Sequence, residues 1–336
     1  MLNVFIGYGC NLKCSYCLQA PSRDRVGQPK YKNKAKTFID KILPYIKKND
    51  IKNIAYWGGE PLVYWNTITE IHDELSKYVN FDNVKIVSNG TLLTQEIRQK
   101  INYWKAFVVL SRHKQFGEPN WKEFANVFKS SVSFLLHGQC LDPQDFIEEI
   151  KEIESLVKRK IHLYMHWVRA TKGCDPKYYI QLNQLDQHKK YLWDLVSKAE
   201  SGCEYSISLW RPHVHQWLYA KNSQFVPMCR GSHQIDVDLD GNWYNCHHTA
   251  NNKTRIGSSV GVVENKDAYL QAEKFVNTKE CQTCPIRNWC RGNCHLSNTH
   301  EVDCALSKMK AEILQYLTKS KINFDVRKEM FINDYV

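Results

Sequence analysis

The residues best equipped for chemistry in this sequence are sulfur ligands. Cys10, Cys14 and Cys17 stand at C-x3-C-x2-C spacing in Gly9-Cys10-Asn11-Leu12-Lys13-Cys14-Ser15-Tyr16-Cys17. Thiolates are soft ligands that favour iron–sulfur clusters, zinc or copper(I). A 4Fe–4S cube offers four corners. Three cysteines on one loop fill three of them and leave one iron open to an outside ligand. The competing readings are a zinc knuckle and buried structural thiols. Zinc takes four protein ligands, or three with a histidine, and no histidine stands near this loop. A second group of seven cysteines lies towards the C-terminus. Cys229 and Cys246 flank Gly241, followed by Cys281-x2-Cys284-x5-Cys290-x3-Cys294 and then Cys304. Those spacings by themselves suit zinc as well as iron–sulfur clusters.

The elements that must position the first group follow a regular alternation. Asn3 to Tyr8 is a short apolar segment that reads as a buried strand, so the first three cysteines sit on a loop at its C-terminal end. A helix is expected from Ala35 to Lys48, where Phe38, Ile39, Ile42, Leu43 and Ile46 recur at helical spacing. The strand Asn53–Trp57 ends in Gly58-Gly59-Glu60-Pro61, whose glycines allow close backbone approach. After a helix at 67–79, the strand beginning at Asn83 ends in Ser88-Asn89-Gly90-Thr91. A helix at 94–103 leads to the strand Ala106–Leu110 and then Ser111-Arg112-His113. A fifth strand, Ser131–Leu136, precedes His137, Gly138 and Cys140. Asp142-Pro143 opens a helix at 143–158. The sixth strand, Ile161–Val168, ends at Arg169, with Cys174 in the loop beyond. A helix at 184–199 and a strand at Tyr205–Leu209 close this part. Six strand–helix repeats argue for a parallel sheet, and each polar candidate falls at a strand's C-terminal end, the face that carries chemistry in barrels of this kind.

The loop C-x3-C-x2-C, with the aromatic Tyr16 before its last cysteine, resembles the signature of the radical S-adenosylmethionine (SAM) superfamily. The glycine-rich Gly58-Gly59-Glu60-Pro61, ~40 residues on, resembles the family motif whose backbone meets the amino group of SAM. The resemblance implies a partial (β/α)6 barrel of the TIM type. It also implies a cluster held by Cys10, Cys14 and Cys17, whose open iron chelates SAM. Reduction of SAM would then yield a 5′-deoxyadenosyl radical that takes hydrogen from a substrate. Tyr16, Gly58, Gly59, Glu60, Pro61, Ser88, Asn89, Ser111 and Arg169 are the residues expected to line the SAM site. The family's usual Ser-x-Asp-Gly is replaced here by Ser111-Arg112-His113-Lys114, which adds positive charge where substrate should approach. His113 itself reads more simply as a surface residue.

The C-terminal array resembles the SPASM subgroup of that superfamily, a small cysteine-rich domain with a β-hairpin, here expected at Gln234–Tyr244 with its turn at Asp240-Gly241. The resemblance implies two auxiliary 4Fe–4S clusters. Cys229, Cys246 and Cys294 would hold the first, and Cys281, Cys284, Cys290 and Cys304 the second. A further cysteine common in the family, six residues before Cys229, is Ser223 here, so the first auxiliary cluster is expected to have an open or differently ligated iron, with Cys203 the nearest spare thiol. His213 and His215 are read as surface or cleft residues. The expected domains are 1–215 for the radical SAM core, 216–310 for the auxiliary domain and 311–336 for a C-terminal helix and tail.

Composition narrows the setting. The 336 residues, 43% hydrophobic and 12% aromatic, can bury a full core. No run approaches the ~18 apolar residues of a membrane span, and no secretory signal is visible, which places the protein in the cytoplasm, where 13 cysteines argue for metal rather than disulfides. The formal charge is +11, with a run of Arg23, Arg25, Lys30, Lys32, Lys34 and Lys36 after the cluster loop. The first functional expectation is radical modification of a peptide or protein side chain: crosslinking, oxidation, or epimerisation with Cys140 or Cys174 returning a hydrogen atom. The many maturases with an N-terminal leader-binding domain differ from this chain, whose first strand begins at residue 3. The second expectation is a nucleotide or nucleic-acid substrate, which the basic residues and aromatics would suit. A zinc-stabilised binding module is the third. The enzyme readings require an external electron donor such as flavodoxin or ferredoxin.

Overall fold

A computed structural model describes residues 1–19, 34–221, 235–246, 254–271, 277–294 and 296–324. Cys229, Ser223 and most of the basic run at 23–36 lie outside the described residues. Six strands, β1 (Leu2–Phe5), β2 (Asn53–Trp57), β3 (Asn83–Ser88), β4 (Phe107–Ser111), β5 (Lys129–Leu136) and β6 (His162–Trp167), lie side by side in sequence order, every adjacent pair parallel. Helices α1 (Lys34–Lys48), α2 (Trp65–Leu75), α3 (Gln95–Tyr103), α4 (Trp121–Phe124) and α5 (Gln144–Val157) fill the crossovers. This is the expected α/β partial barrel. Its outer layer forms because each helix carries an apolar stripe: Phe38, Ile42 and Ile46 on α1, and Phe146, Ile150, Ile153 and Val157 on α5, are all buried against the sheet. Burying apolar side chains of this size stabilises the layer by about 1.5–3 kcal/mol each.

The sheet does not stop at β1. β7 (Ile235–Asp238) pairs in parallel with β1, and β8 (Trp243–Tyr244) and β9 (Arg255–Gly257) continue antiparallel, giving the order β6-β5-β4-β3-β2-β1-β7-β8-β9. A buried hydrogen bond from Asn3 Nδ2 to Asp236 Oδ1, 2.7 Å, fixes the β1–β7 seam. The hairpin turns where expected. Gly241 takes φ +79°, and the Asp238 carboxylate accepts the backbone N–H groups of Asp240 and Asn242 at 2.9 Å.

Two expectations fail in one place. Tyr205–Leu209 is not a strand but the first part of α7 (Glu204–Lys221), which follows α6 (Leu185–Glu200). The alternation of Tyr205, Ile207 and Leu209 imitates a strand, and Pro212 deters a helical reading. The longer pattern, however, is helical: Ser206, Leu209, Trp210, His213, Val214 and Trp217 share the buried face. His213 and His215 are therefore buried, not surface or cleft residues, and the His213 Nε2 lies 2.9 Å from the Met165 carbonyl on β6. The boundaries expected at 215/216 and 310/311 both fall inside helices, α7 and the long helix His300–Leu317. No helix among the described residues is long and apolar enough to cross a membrane.

Candidate active site

The cluster loop is anchored by backbone contact with the end of β2. Gly59 N–H donates to the Gly7 carbonyl and Glu60 N–H to the Gly9 carbonyl, both at 2.8 Å. A Cβ on Gly59 would come within 2.4 Å of the Tyr8 and Gly9 carbonyl oxygens, and one on Gly58 within 2.8 Å of the Gly7 oxygen. The paired glycines are thus required where two backbones touch. Gly9 N–H also donates to the Tyr64 hydroxyl at 2.7 Å, a partner that no spacing in the sequence announced.

Glu60 ties the next two strand ends together. Its buried carboxylate accepts from Leu62 N–H at 3.0 Å, Ser88 Oγ at 2.7 Å and Asn89 N–H at 2.7 Å. Burial raises its pKa, and these three donors oppose the rise. Pro61 begins the 3-10 turn that follows. Asn89 reaches back to the loop, its Nδ2 donating to Asn11 Oδ1 at 3.0 Å, while Asn11 Nδ2 donates to Thr91 Oγ1 at 2.6 Å. Ser88 and Asn89 therefore hold the site together as well as facing it.

These residues enclose a cavity of about 240 Å³ at the C-terminal ends of the strands, walled by the three loop cysteines, Gly58-Gly59-Glu60, Ser88, Asn89, Ser111, His113 and Arg169. Tyr16 is buried in its wall between Phe116, His137 and Tyr178, and its hydroxyl lies 2.8 Å from His113 Nδ1. Burial, then the nearby Cys14, Tyr178 and Cys17, raise the Tyr16 pKa. His113 is not a surface residue. It faces the cavity, and burial, with Arg112 beside it, lowers its pKa to about 4. Its neighbour Arg112 also departs from expectation. The guanidinium is buried, donating to Glu149 at 2.5 Å and Glu118 at 2.7 Å, so the sequence-adjacent cation is neutralised rather than offered to substrate. Its partner Glu149 lies 37 positions away.

The two thiols read as hydrogen donors do not line the cavity. Cys174 packs behind it with Cys14, Tyr16 and Tyr178, and burial, then Asp175, push its pKa up to about 11. Cys140 sits in the turn after β5, with its Sγ 3.9 Å from Asp145 Oδ2, and burial and Asp145 push its pKa up to about 12.

The C-terminal thiols are carried by the short helices α9 (Lys279–Gln282) and α10 (Arg287–Cys290), which follow α8 (Lys266–Gln271), and by α11 (His300–Leu317). Burial, opposed by Lys308, and then the neighbouring thiols of Cys290, Cys284 and Cys281 push the Cys304 pKa up. Cys281, Cys284 and Cys290 are thus near enough to Cys304 to act on its charge. Cys294 instead faces Arg169, which lowers its otherwise burial-raised pKa. Arg169 lines the cavity, but its Nη1 also lies 3.3 Å from Asp303 Oδ1 on α11. Cys203 lies against Ser206 and Lys151, beside the start of β6, whereas Arg169 and Cys294 lie beyond its other end. Among the described residues no three Cys, His, Asp or Glu side chains converge as a single metal ion requires.

The fold, the thiol loop and the glycine-anchored cavity above the strand ends define a radical SAM enzyme. The Radical SAM superfamily profile matches residues 4–108. The chain is 30% identical over 330 residues to the radical SAM cyclopropyl synthase TigE of Paramaledivibacter caminithermalis, covering 87% of this chain and 67% of the relative. It is 23% identical over 332 residues to the cysteine-type anaerobic sulfatase-maturating enzyme of Clostridium perfringens, covering 89% of each. The solved structure of native anSMEcpe with bound AdoMet superposes with a TM-score of 0.67 at 15% identity, over 95% of this chain and 99% of that one. The same protein with AdoMet and a peptide bound gives 0.64. The chain belongs to the radical SAM superfamily and, through its C-terminal cysteine array, to the SPASM-type branch.

Proposed function

We propose that this enzyme modifies a side chain of a peptide or protein by radical chemistry, with one SAM-binding cluster and two auxiliary clusters. The observation that carries this reading is likeness along nearly the whole chain to a sulfatase-maturating enzyme and a cyclopropyl synthase. The nucleic-acid reading loses ground because Arg112, one of the basic residues it relied on, is buried in two ion pairs.

Cys10, Cys14 and Cys17 would hold the first cube. When bound and reduced, cube and SAM supply a radical able to take hydrogen from an unactivated carbon. The chain's own part is positional. Gly58 and Gly59 set the height of the loop above the strand ends, and Glu60 locks β2 to β3. Tyr16, Ser88, Asn89, Ser111 and Arg169 shape the walls. His113 presents a neutral imidazole, able to accept or donate one hydrogen bond without adding charge. Because neither Cys140 nor Cys174 lines the cavity, crosslinking or oxidation is favoured over an epimerisation that ends with a protein thiol returning hydrogen. A flavodoxin or ferredoxin in the cytoplasm would supply electrons.

The test is anaerobic SAM cleavage by the reconstituted enzyme in the presence of candidate peptides, with mass spectrometry of each peptide. A mass loss of hydrogen confined to one peptide supports the reading. Modification of a nucleotide or oligonucleotide instead would overturn it. Cys14→Ala should abolish 5′-deoxyadenosine formation, whereas Cys284→Ala should leave uncoupled cleavage without product.

A further inference from the structure

α11 carries a polar stripe on a face that should be apolar. Asp303, Ser307 and Lys310, at i, i+4 and i+7, are all buried among Val302, Leu306, Met309, Ile313 and Leu314. Each meets a residue of the cysteine array or of the cavity wall. Asp303 pairs with Arg169. Ser307 Oγ donates to Asn293 Oδ1 at 3.0 Å and hydrogen-bonds the Cys290 side chain. Lys310 Nζ lies 4.0 Å from the ring centre of Trp167, which lines the cavity, and 5.7 Å from that of Trp289, next to Cys290.

Lys310 is the anomaly. Buried ammonium groups are normally paired with a carboxylate, and among the described residues none lies within salt-bridge distance of this one. The nearest acid that acts on it, Asp303, is already engaged by Arg169, and Arg169 itself repels Lys310. Burial, then Arg169, lower the Lys310 pKa to about 7, while Cys290, then Asp303, oppose the fall, so the charge it carries depends on the anions beside it. The stronger of the two attractions comes from Cys290, one of the four thiols read as ligands of one cluster. A cube held by four thiolates is an anion.

We propose that Lys310 is a positioning residue that sets the reduction potential of the cluster held by Cys281, Cys284, Cys290 and Cys304. This rests on the reading that those four thiols carry a cluster. Reduction adds one electron to one cube and takes its charge, thiolates included, from −2 to −3. The Lys310 ammonium, whose proton an anionic cube would help to hold, favours the more negative state, because Coulomb attraction is strong where water is excluded. Lys310 therefore makes this cluster easier to reduce, which suits a centre that receives an electron on the cavity side, beyond Trp167.

The test is a potentiometric titration of the reconstituted full chain followed by electron paramagnetic resonance, with Cys10, Cys14 and Cys17 all replaced by alanine to remove the first cluster's signal. Dithionite supplies the electrons. The signal lost in Cys304→Ala identifies the cluster in question. In Lys310→Met its midpoint should move to more negative potential by a tenfold or larger change in the reduction equilibrium, about 59 mV or more for one electron. Lys310→Arg should restore it. Methionine keeps the contacts with both tryptophans and removes an unpaired buried charge, so Lys310→Met should fold at least as well as the parent. An unchanged midpoint in a folded, iron-loaded Lys310→Met would overturn the proposal while leaving the cluster reading intact. Loss of no signal in Cys304→Ala would overturn both.

Discussion

The two thiol regions are built by different means. The N-terminal loop is shaped by the fold: it lies on the end of a parallel sheet, with paired glycines against backbone and a buried carboxylate tying adjacent strand ends. The C-terminal array rests on α9 and α10, helices of four residues each, which are too short to be stable alone. What gathers its thiols is one face of α11 and, by the reading above, the metal they hold. The first site should persist as a shaped cavity without its cofactor; the second should depend on its cluster for order. Ligand binding that occurs only in the folded state is folding free energy.

The strongest test of that contrast is metal removal. Anaerobic chelation followed by hydrogen exchange should strip protection from residues 277–294 and leave β2 to β5 protected. The difference in exchange rate should span several orders of magnitude. Equal protection in both regions after iron is removed would end the comparison.

Next in size is Gly59→Ala, which attacks the fold-built site alone. The new methyl would sit 2.4 Å from two carbonyl oxygens of a backbone that cannot withdraw without breaking the Gly59–Gly7 and Glu60–Gly9 hydrogen bonds. A cost of about 3 kcal/mol and loss of SAM binding are expected, measured by denaturant unfolding and equilibrium dialysis. Native SAM affinity in this variant would show that the glycine pair is incidental.

Acid sharpens the contrast further. His72, His113 and His188 are held near a pKa of about 4 and His213 near about 3, in each case chiefly by burial, and all four lie in the barrel or the helices packed on it. Their folded values lie below the unfolded 6.5, so the folded state refuses protons that the unfolded chain accepts. Stability is intact above about pH 6.5, falls as pH drops below it, and the loss is complete below the folded values. The ceiling is about 3 kcal/mol for each of the three held near 4 and about 5 kcal/mol for His213. Urea midpoints should therefore decline between pH 7 and 4. A flat profile would mean that these imidazoles are more exposed than their surroundings indicate.

Much of this was legible in the sequence, where spacing and period speak directly. The cysteine loop, the glycine pair and four of the five barrel crossovers follow from local pattern, because a parallel strand and an amphipathic helix each leave a short-range signature. What was hidden depends on partners far apart in the chain. Arg112 reads as a free cation until Glu149 is brought to it across β4 and β5. Lys310 reads as one more lysine on a surface helix until Trp167 and Trp289 enclose it. A stripe at 303, 307 and 310 is visible in the sequence as helical spacing, but without the fold nothing says that this face is the inner one. α7 was misread for a local reason, three alternating apolar residues ahead of a proline.

The smallest effect is expected at Cys140, and it bears on the kind of reaction. A thiol that returns hydrogen to a substrate radical must reach the cavity, and its removal would convert product into uncoupled turnover. Cys140 sits instead in a turn, its sulfur directed towards Asp145. Cys140→Ala should cost about 1 kcal/mol or less, from lost packing, and leave the yield of modified peptide per SAM cleaved unchanged. Cys174→Ala, closer to Tyr16 and Cys14, should cost somewhat more stability and also preserve that ratio. Peptides modified in deuterated water settle the matter. Solvent deuterium at the reacting carbon, lost in either alanine variant, would establish that thiol as the donor and require the cavity to open towards it. Absence of deuterium in the parent leaves oxidation or crosslinking.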